Sequence, residues 1–215
     1  MAVITISRDP GSGGMEIARK VANMLGYEYA DHATTDSILR QYGLTKFSEL
    51  YENVPSLLDI LNADNLLIVA MTNEILEALA KRGNIVILGR AGFAVLGKYA
   101  DVLNVRVQAP FDQRVKRVME REGLADQTAA EERIKEDDNV HRKYVRRFYN
   151  CEWDDPANFS LALDTSVLSV DAAASLIVEA AKSVEQRARA GDAITTATIK
   201  DDPVLADAAT RVLAK

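Results

Sequence analysis

A glycine-rich turn, "GSGG" at 11–14, is the stretch of this sequence whose residue types could bind phosphate. Backbone N–H groups in such a turn, together with the positive end of a following helix, attract an anion. Glycine is needed there because the backbone must approach the phosphate closely. The turn lies between the apolar run "AVITIS" (2–7) and the helical pattern "MEIARKVANMLG" (15–26). Since the first β–α turn of a parallel sheet commonly holds nucleotide phosphates, its position favours a phosphate site over a purely structural turn.

The loop lacks the side chains that usually complete a phosphate-binding loop, which ends in Gly-Lys-Ser/Thr. Aligned on Gly-Ser-Gly, Gly14 takes the place of the lysine and Glu16 that of the hydroxyl residue. Arg8, Arg19 and Lys20 are the alternatives for the missing cation, and Arg8 is the best placed. Glu16 would repel phosphate unless a metal ion lay between them, which makes it a candidate metal ligand. Alternatively, it only complements the dipole of the helix, by about 0.3–1 kcal/mol.

The elements around the loop alternate between strands and helices. Short β-branched or apolar runs predict buried strands at 2–7, 27–31, 84–89, 102–109 and 159–166. Helical patterns follow them, among them "NADNLLIVAMTNEILEALAKRG", which ends at Gly83, and "VDAAASLIVEAAKSVEQRAR" (170–189). The order predicts an α/β fold in which helices cover a parallel sheet. The charged helices within 111–150 have few large apolar residues, and we expect them to project as an arm.

The composition bounds the classes of function. The chain has 215 residues, 48% hydrophobic and 27% charged, which suits one main domain with a sizeable core. A net charge of −6 argues against general coating of nucleic acid, although a few arginines suffice to bind one nucleotide. We find no signal-peptide pattern, and "LLIVAM" (66–71) is too short to span a bilayer. With Cys151 as the single cysteine, we expect a cytoplasmic protein without disulfides and without a membrane partner.

The C-terminal residues differ from the rest, and we divide the chain into a domain at 1–187 and a linker plus helix at 188–215. Asp202 suits the N-cap of that helix and Pro203 its first position. Its apolar stripe predicts docking, because an isolated helix of this length is only marginally stable. It docks on the domain's own core, on a second copy of the chain or another partner, or it begins a further domain.

Three segments of the sequence resemble the cytidylate kinase-like family of nucleoside monophosphate (NMP) kinases. "ITISRDPGSGGMEIARKVANMLGYEYAD" is similar to the family's opening strand, loop, helix and second strand, and "IVILGRAG" to its Gly-Arg strand end. The stretch from "IKEDD" to "YNCEWDDPANFSLALDTSVLS" is similar to its lid and closing strand, with Asp138, Tyr144, Trp153 and Asp155 in register. The resemblance implies a P-loop nucleoside/nucleotide kinase fold with a helical NMP-binding arm (about 33–62) and a lid (about 111–156).

The resemblance also implies an activity, the transfer of the γ-phosphoryl group of ATP, with Mg²⁺, to a nucleoside monophosphate, usually CMP or dCMP. The protein's work would be to align two phosphates, neutralise charge and exclude water. By position, the loop would hold the donor phosphates, the lid would bring arginines to them, and other residues would bind the acceptor. The residues so assigned are Gly11, Ser12, Gly13, Gly14, Met15 and Glu16 for the cofactor, Arg8, Arg142 and Arg146 for catalysis, and Asp31, Arg90, Arg114 and His141 for the substrate.

Several of these roles have a structural alternative. Arg90 could cap the sheet edge, Arg142 could pair with Asp138 on a solvated helix, and His141 could be a partial cation or merely solvated. Met15 and His141 also stand where related sequences have arginine. Two functions therefore remain, an NMP kinase and a nucleotide-binding regulatory or sensor protein without phosphotransfer, while a structural homo-oligomer is a weaker third. The expected partner of the first two is a small-molecule nucleotide.

Overall fold

The computed structural model describes residues 2–43, 62–189, 193–200 and 202–214. Its centre is a five-stranded parallel sheet with the strand order β2-β3-β1-β4-β5. The central strands are short and apolar because helices bury both of their faces. The strands are β1 (Val3–Arg8), β2 (Glu28–Ala30), β3 (Ile85–Leu88), β4 (Val102–Gln108) and β5 (Leu161–Asp164). The predicted α/β fold is confirmed, and only β1 runs one residue beyond its predicted range.

Helices follow the strands on both faces of the sheet. They are α1 (Gly14–Leu25), α2 (His32–Gln41), α3 (Ala63–Arg82), α4 (Gly92–Leu96), α5 (Phe111–Glu122), α6 (Gln127–Tyr149), α7 (Val170–Arg189) and α8 (Pro203–Leu213). The helix predicted to end at Gly83 does so, and Asn62 caps its first turn. Helix α4 is missing from the prediction, because five residues are too few to show a helical period.

Alternate side chains of each strand build two separate cores. Val3 and Ile85 face a layer that contains residues of α2, α3, α4, α6 and α8. Their neighbours Ile4 and Val86 face α1 and α7 on the other side. Each fully buried aliphatic side chain stabilises the fold by about 1.5–3 kcal/mol, so the strand ends are held by a rigid frame.

Strand β1 is the central strand: β2 and β3 lie on one side of it, and β4 and β5 lie on the other. It pairs with β3 on one side and with β4 on the other, and all these strands are parallel. In open parallel sheets a crevice forms at the carboxyl end of such a strand, and ligands bind there. Arg8 ends β1 and the glycine turn follows it directly, so the turn lies at this crevice.

The expectation that the charged helices project as an arm is wrong for the second half of α6. Tyr144 and Val145 are 2% and 3% exposed and belong to the main core. The first half of α6 packs on α5 instead, where Ile134 and Val115 form a small apolar cluster with their neighbours. The apolar residues of α6 are few but evenly distributed, and they suffice to dock it along its length.

The C-terminal segment docks on the protein's own core. Asp202 caps α8 as predicted, accepting hydrogen bonds from the backbone N–H groups of the first turn. Before α8, the carboxylate of Asp101 accepts from the N–H of Thr196 at 2.8 Å and from its hydroxyl at 2.6 Å. The residues of α8 that pack into the layer of α2 and α3 are Leu205, Ala208 and Ala209. Of the alternatives for this segment, the described residues therefore show docking on its own domain.

Two further sequence expectations bear on the fold. The NMP-binding arm predicted at about 33–62 lies mostly outside the described residues, and α2 is its described part. Among the helices described, none is long and apolar enough to cross a membrane.

Candidate functional site

The glycine turn presents unsatisfied backbone donors at the start of α1. Gly11 and Gly13 both adopt a φ of +80°, which glycine reaches without steric cost. Gly13 is the N-cap of α1 and offers no side-chain cap. The N–H groups of Gly14, Met15 and Glu16 in the first turn therefore have no acceptor among the described residues. Such a helix start suits an anion, since the helix dipole adds a partial positive charge.

The turn is held from behind by the end of β5. The hydroxyl of Thr165 donates a hydrogen bond to the carbonyl of Ser12 at 2.8 Å. The same hydroxyl accepts from the guanidinium of Arg117 at 2.8 Å, and that guanidinium also reaches the carbonyl of Gly11 at 3.4 Å. Thr165 belongs to the "LDTS" stretch of the resemblance, which marked the position without predicting this bracing role.

Arg114 braces the turn instead of facing a ligand cavity. Its guanidinium donates two hydrogen bonds to the carboxylate of Asp138 on α6, at 3.0 and 2.9 Å. It also reaches the carbonyl of Pro10 at 3.4 Å. Its backbone lies so close to Gly11 that a Cβ there would meet the Arg114 carbonyl at 2.8 Å. The predicted substrate role of Arg114 is therefore not supported, and the Asp138–Arg142 pair that we considered is wrong.

Arg8 runs from the end of β1 across the glycine turn. A Cβ added at Gly14 would lie 2.5 Å from the Arg8 Cβ, and one added at Gly89 would lie 2.7 Å from its Nη1. The side chain thus passes Gly14 and ends over the turn that follows β3. Burial lowers the pKa of the Arg8 guanidinium from its usual value, and the positive charge of Arg90 adds to this effect.

Arg90 stands in a left-handed turn at the carboxyl end of β3. Gly89, Arg90 and Ala91 have φ values of +80°, +52° and +54° in succession. Left-handed conformations of residues other than glycine cost of order 1–3 kcal/mol each and cluster at functional sites. The Arg90 side chain is 7% exposed and forms an ion pair with Asp36 of α2. Burial raises the pKa of the Asp36 carboxyl, while Arg90 opposes that shift.

The structure places Asp31 at the start of α2. Its carboxylate accepts from the N–H groups of Ala33 and Thr34, and the Thr34 hydroxyl accepts from the Asp31 N–H, which forms a capping box. This arrangement uses Asp31 for helix capping, worth about 1 kcal/mol. Asp36, one turn further along, pairs with Arg90 instead, and no motif or spacing in the sequence marked it.

Two cavities meet at the carboxyl ends of β1 and β3. The larger has a volume of about 400 Å³ and extends from the Arg90 turn to α2 and α6. The smaller, of about 230 Å³, lies against the glycine turn. Three residues line both cavities and form the boundary between them, namely Arg8, Asp137 and His141.

Helix α6 lines the larger cavity with residues other than Arg142 and Arg146, the two arginines of this helix that were predicted to be catalytic. Arg133, Asp137 and His141, spaced four residues apart, line it. Arg142 pairs with Asp154 at 3.6 Å and Arg146 with Glu152 at 3.5 Å, and the two arginines are 47% and 72% exposed. Neither arginine lines either cavity, so of the three positions expected to be catalytic only Arg8 lies at the site.

His141 is a neutral side chain stacked within the site. Its Nδ1 lies 2.7 Å from the carbonyl oxygen of Asp137, so that nitrogen carries the proton. One ring face stacks on Trp153 at 5.2 Å, and the guanidinium of Arg106 lies 4.2 Å from the Trp153 ring centroid. Burial, with the charge of Arg8, lowers the pKa of His141 to about 4. Neither alternative for His141, a partial cation or a solvated side chain, is correct.

The predicted metal ligand Glu16 is exposed and lines neither cavity. Among the described residues, no three His, Cys, Asp or Glu side chains lie close enough to form a metal site. Asp9 and Asp137 are the carboxylates that line the smaller cavity. Asp9 forms an ion pair with Arg106, which leaves Asp137 as the better candidate for a cation.

The comparisons with known proteins identify the family. A family model described as the cytidylate kinase-like family matches residues 3–167. The chain belongs to that family. A cytidylate kinase of Ignicoccus hospitalis is 30% identical over 172 residues, which cover 80% of this chain and 94% of the relative. One from Aeropyrum pernix is 32% identical over 180 residues, 82% of this chain and 97% of that relative.

Solved structures agree with the family's fold. An uncharacterized protein from Eubacterium ventriosum superposes with a TM-score of 0.67 at 21% identity, covering 85% of this chain and 99% of that one. A shikimate kinase from Bacteroides thetaiotaomicron superposes with a TM-score of 0.52 at 13% identity, covering 84% and 98%. Identities this low bear on the arrangement of helices and strands alone.

The loop pattern also corrects one alignment detail. In Gly-x-x-x-x-Gly-Lys-Ser/Thr, the hydroxyl residue follows the lysine directly. With Gly14 at the lysine, Met15 and not Glu16 takes the hydroxyl position. The same alignment places Arg8 at the first glycine of the pattern.

Proposed function

We propose that this member of the cytidylate kinase-like family is an NMP kinase that transfers the γ-phosphoryl group of ATP to a pyrimidine nucleoside monophosphate such as CMP or dCMP. The observation that carries the proposal is the contact between two cavities across Arg8, Asp137 and His141. One cavity contains a phosphate-binding turn and the other a buried arginine. Phosphoryl transfer needs this arrangement, because two phosphate groups must meet in line.

On the donor side, the N–H groups at the start of α1 would bind the phosphates of ATP. A Cβ at Gly13 would meet open space, whereas glycine at 11 and 14 lets Arg114 and Arg8 pack against the turn. Thr165 and Arg117 hold the turn by hydrogen bonds to its carbonyls. Mg²⁺ in kinases is held by phosphates and one or two carboxylates, with water completing its shell. Asp137 fits this requirement, because it lines both cavities and has no ion pair within the described residues. The cation would supply charge neutralisation at the phosphates.

On the acceptor side, Arg90 would bind the acceptor phosphate. Its guanidinium is fixed by Asp36, and a planar, pre-oriented guanidinium suits a phosphate group. Arg133 reaches the same cavity from α6. Exposed ion pairs such as those of Arg142 and Arg146 contribute only about 0–1 kcal/mol. Lid closure could therefore release both arginines toward the phosphates at little cost.

An assay of ADP formation against CMP, dCMP, UMP, AMP and GMP, with and without Mg²⁺, tests the proposal. We expect Mg²⁺-dependent turnover, fastest with a pyrimidine monophosphate. Arg90→Lys removes the planar fork, and we expect the KM for the acceptor to rise about 10-fold while the KM for ATP is unchanged. Arg82→Lys is the control, because Arg82 also pairs with a carboxylate, that of Glu28 at the sheet edge, but lines neither cavity. Pure protein without turnover on any monophosphate refutes the proposal.

A second candidate function, a nucleotide-binding regulatory or sensor protein, rests on the charges that the site lacks. Gly14 and Met15 replace the lysine and the hydroxyl residue, and His141 is neutral. If this function is correct, ATP or CMP raises the melting temperature and is recovered unchanged. The two functions are separated by chromatography of the nucleotide after incubation.

A further inference from the structure

Position 14, where phosphate-binding loops have a lysine, has no room for any side chain in this protein. A Cβ built on Gly14 would lie 2.5 Å from the Cβ of Arg8 and 3.0 Å from its Cγ. Its next neighbour, the Cβ of Val107, would be at an ordinary distance of 3.5 Å. Arg8 alone therefore occupies the space into which a residue at position 14 would extend.

At positions 8 and 14 the glycine and the basic residue of the loop pattern have changed places. The pattern has glycine where β1 ends and lysine where α1 begins, whereas this chain has Arg8 at the strand end and Gly14 at the helix start. Each change requires the other on steric grounds. A lysine at position 14 needs a glycine at position 8, and an arginine at position 8 needs a glycine at position 14.

The exchange moves the cation rather than removing it. The Arg8 guanidinium ends beside Gly89, at the boundary that both cavities share. The other cations that the sequence offered are used elsewhere, since Lys20 pairs with Asp171 and Arg19 stacks on Tyr29 at 5.5 Å. The Arg8 side chain has no hydrogen bond and no ion pair to any described residue, and the carboxylates of Asp31 and Asp137 act on its charge without pairing with it. Its charge therefore faces the space where a phosphate would lie.

We propose that Arg8 is a catalytic residue that replaces the missing lysine of the loop, contacting the transferred phosphoryl group from the strand side. This inference rests on the proposed function. In the reaction, the bond between Pγ and the β-phosphate oxygen of ATP breaks, and its electron pair stays on ADP. A bond forms between Pγ and an oxygen of the acceptor phosphate. Arg8 exchanges no proton, because a guanidinium stays protonated, and it neutralises charge on the oxygens of the group in transit.

A swap experiment tests the replacement. Arg8→Gly is compared with Gly14→Lys, with the double variant R8G/G14K, and with Arg211→Ala as a control that removes an arginine from an exposed pair on α8. We expect Arg8→Gly to lower kcat by about 100-fold or more. Gly14→Lys alone should lower the melting temperature, because its Cβ overlaps Arg8. The double variant should melt near the wild type and recover at least about 10-fold in kcat over Arg8→Gly, since a lysine then fills the vacated space.

Nucleotide affinity separates this proposal from the proposed function. By calorimetry, we expect Arg8→Gly to weaken ATP binding about 10-fold and ADP binding much less, because the contact is to the terminal phosphate. That loss supports Arg8 even if the wild type proves to transfer no phosphate. The proposal is overturned if folded Arg8→Gly keeps its ATP affinity and kcat within about threefold of the wild type. It is equally overturned if the folded double variant is no better than Arg8→Gly in both measurements.

Discussion

His141 makes the stability of this protein depend on pH in a way that can be calculated. Its pKa is lowered from an ordinary 6.5 to about 4, first by burial and then by the positive charge of Arg8. Arg90 acts in the same direction, while the Asp137 carbonyl and Asp138 oppose it. Between these two pH values the unfolded chain binds a proton at this histidine and the folded protein does not. The stabilisation is therefore complete above about pH 6.5 and is lost as the pH falls toward 4.

The magnitude follows from about 1.4 kcal/mol per pKa unit. Relative to a variant without this histidine, the free energy of unfolding should fall by about 1 kcal/mol at about pH 5.5 and by about 2–3 kcal/mol at about pH 4.5. His141→Asn is the suitable variant, because its amide nitrogen can still donate to the Asp137 carbonyl. The two proteins differ at this residue alone, so the difference between their free energies of unfolding isolates His141.

Urea unfolding of both proteins at several values between about pH 4.5 and pH 7.5 gives the measurement. The expected result is a difference that is flat above about pH 6.5 and slopes below it. A difference that is independent of pH would show that His141 titrates alike in the folded and unfolded chain. A difference that grows in favour of the wild type in acid would show that the folded protein stabilises the protonated form of His141. Either result would refute the assignment of His141 as a neutral group.

Three further predictions concern the groups that hold the site. Arg114→Met should lower the free energy of unfolding by about 3–5 kcal/mol, because it leaves the carboxylate of Asp138, only 15% exposed, without its partner. Equal stability of variant and wild type in urea unfolding would contradict this. Thr165→Val should weaken ATP binding several-fold and cost about 1–3 kcal/mol, since the glycine turn loses its hydroxyl bridge, whereas Thr165→Ser should restore both values. Asp101→Ala should raise hydrogen exchange in α8 and in α2, on which α8 packs, because Thr196 loses its two bonds. Unchanged exchange in both helices would contradict this.

The parallel sheet was predictable from the sequence because its strands carry continuous apolar runs. Val3 to Ile6 and Ile85 to Leu88 are buried on both faces, and that environment selects β-branched residues without alternation. The caps at Asp202 and Gly83 were predictable for a similar reason. An aspartate accepts hydrogen bonds from the free N–H groups that begin a helix, and a glycine readily adopts the backbone conformation that ends one. Burial and capping are local properties, and a sequence displays them directly.

The partners of the site's arginines were not predictable in the same way. Arg90 was placed correctly at a strand end, but its partner Asp36 lies 54 residues away. Arg114 is 24 residues from Asp138, and Thr165 is 153 residues from Ser12. No periodicity links such distant positions, so a single sequence does not show which of them will be in contact. The structure is needed to distinguish a guanidinium that faces a cavity from one that holds a loop.

The predicted lid shows most clearly what decides which charged side chains face the larger cavity. Its helix α6 is charged around most of its circumference, so several stripes could face the phosphates. The apolar residues Ile134, Tyr144 and Val145 are buried, and they fix the rotation of the helix about its axis. A step of one residue turns the helix by about 100°, which is enough to exchange His141 for Arg142 at the cavity. The stripe at 133, 137 and 141 faces the site because of where these few apolar side chains lie, and any variant that moves them should change which charge meets the substrate.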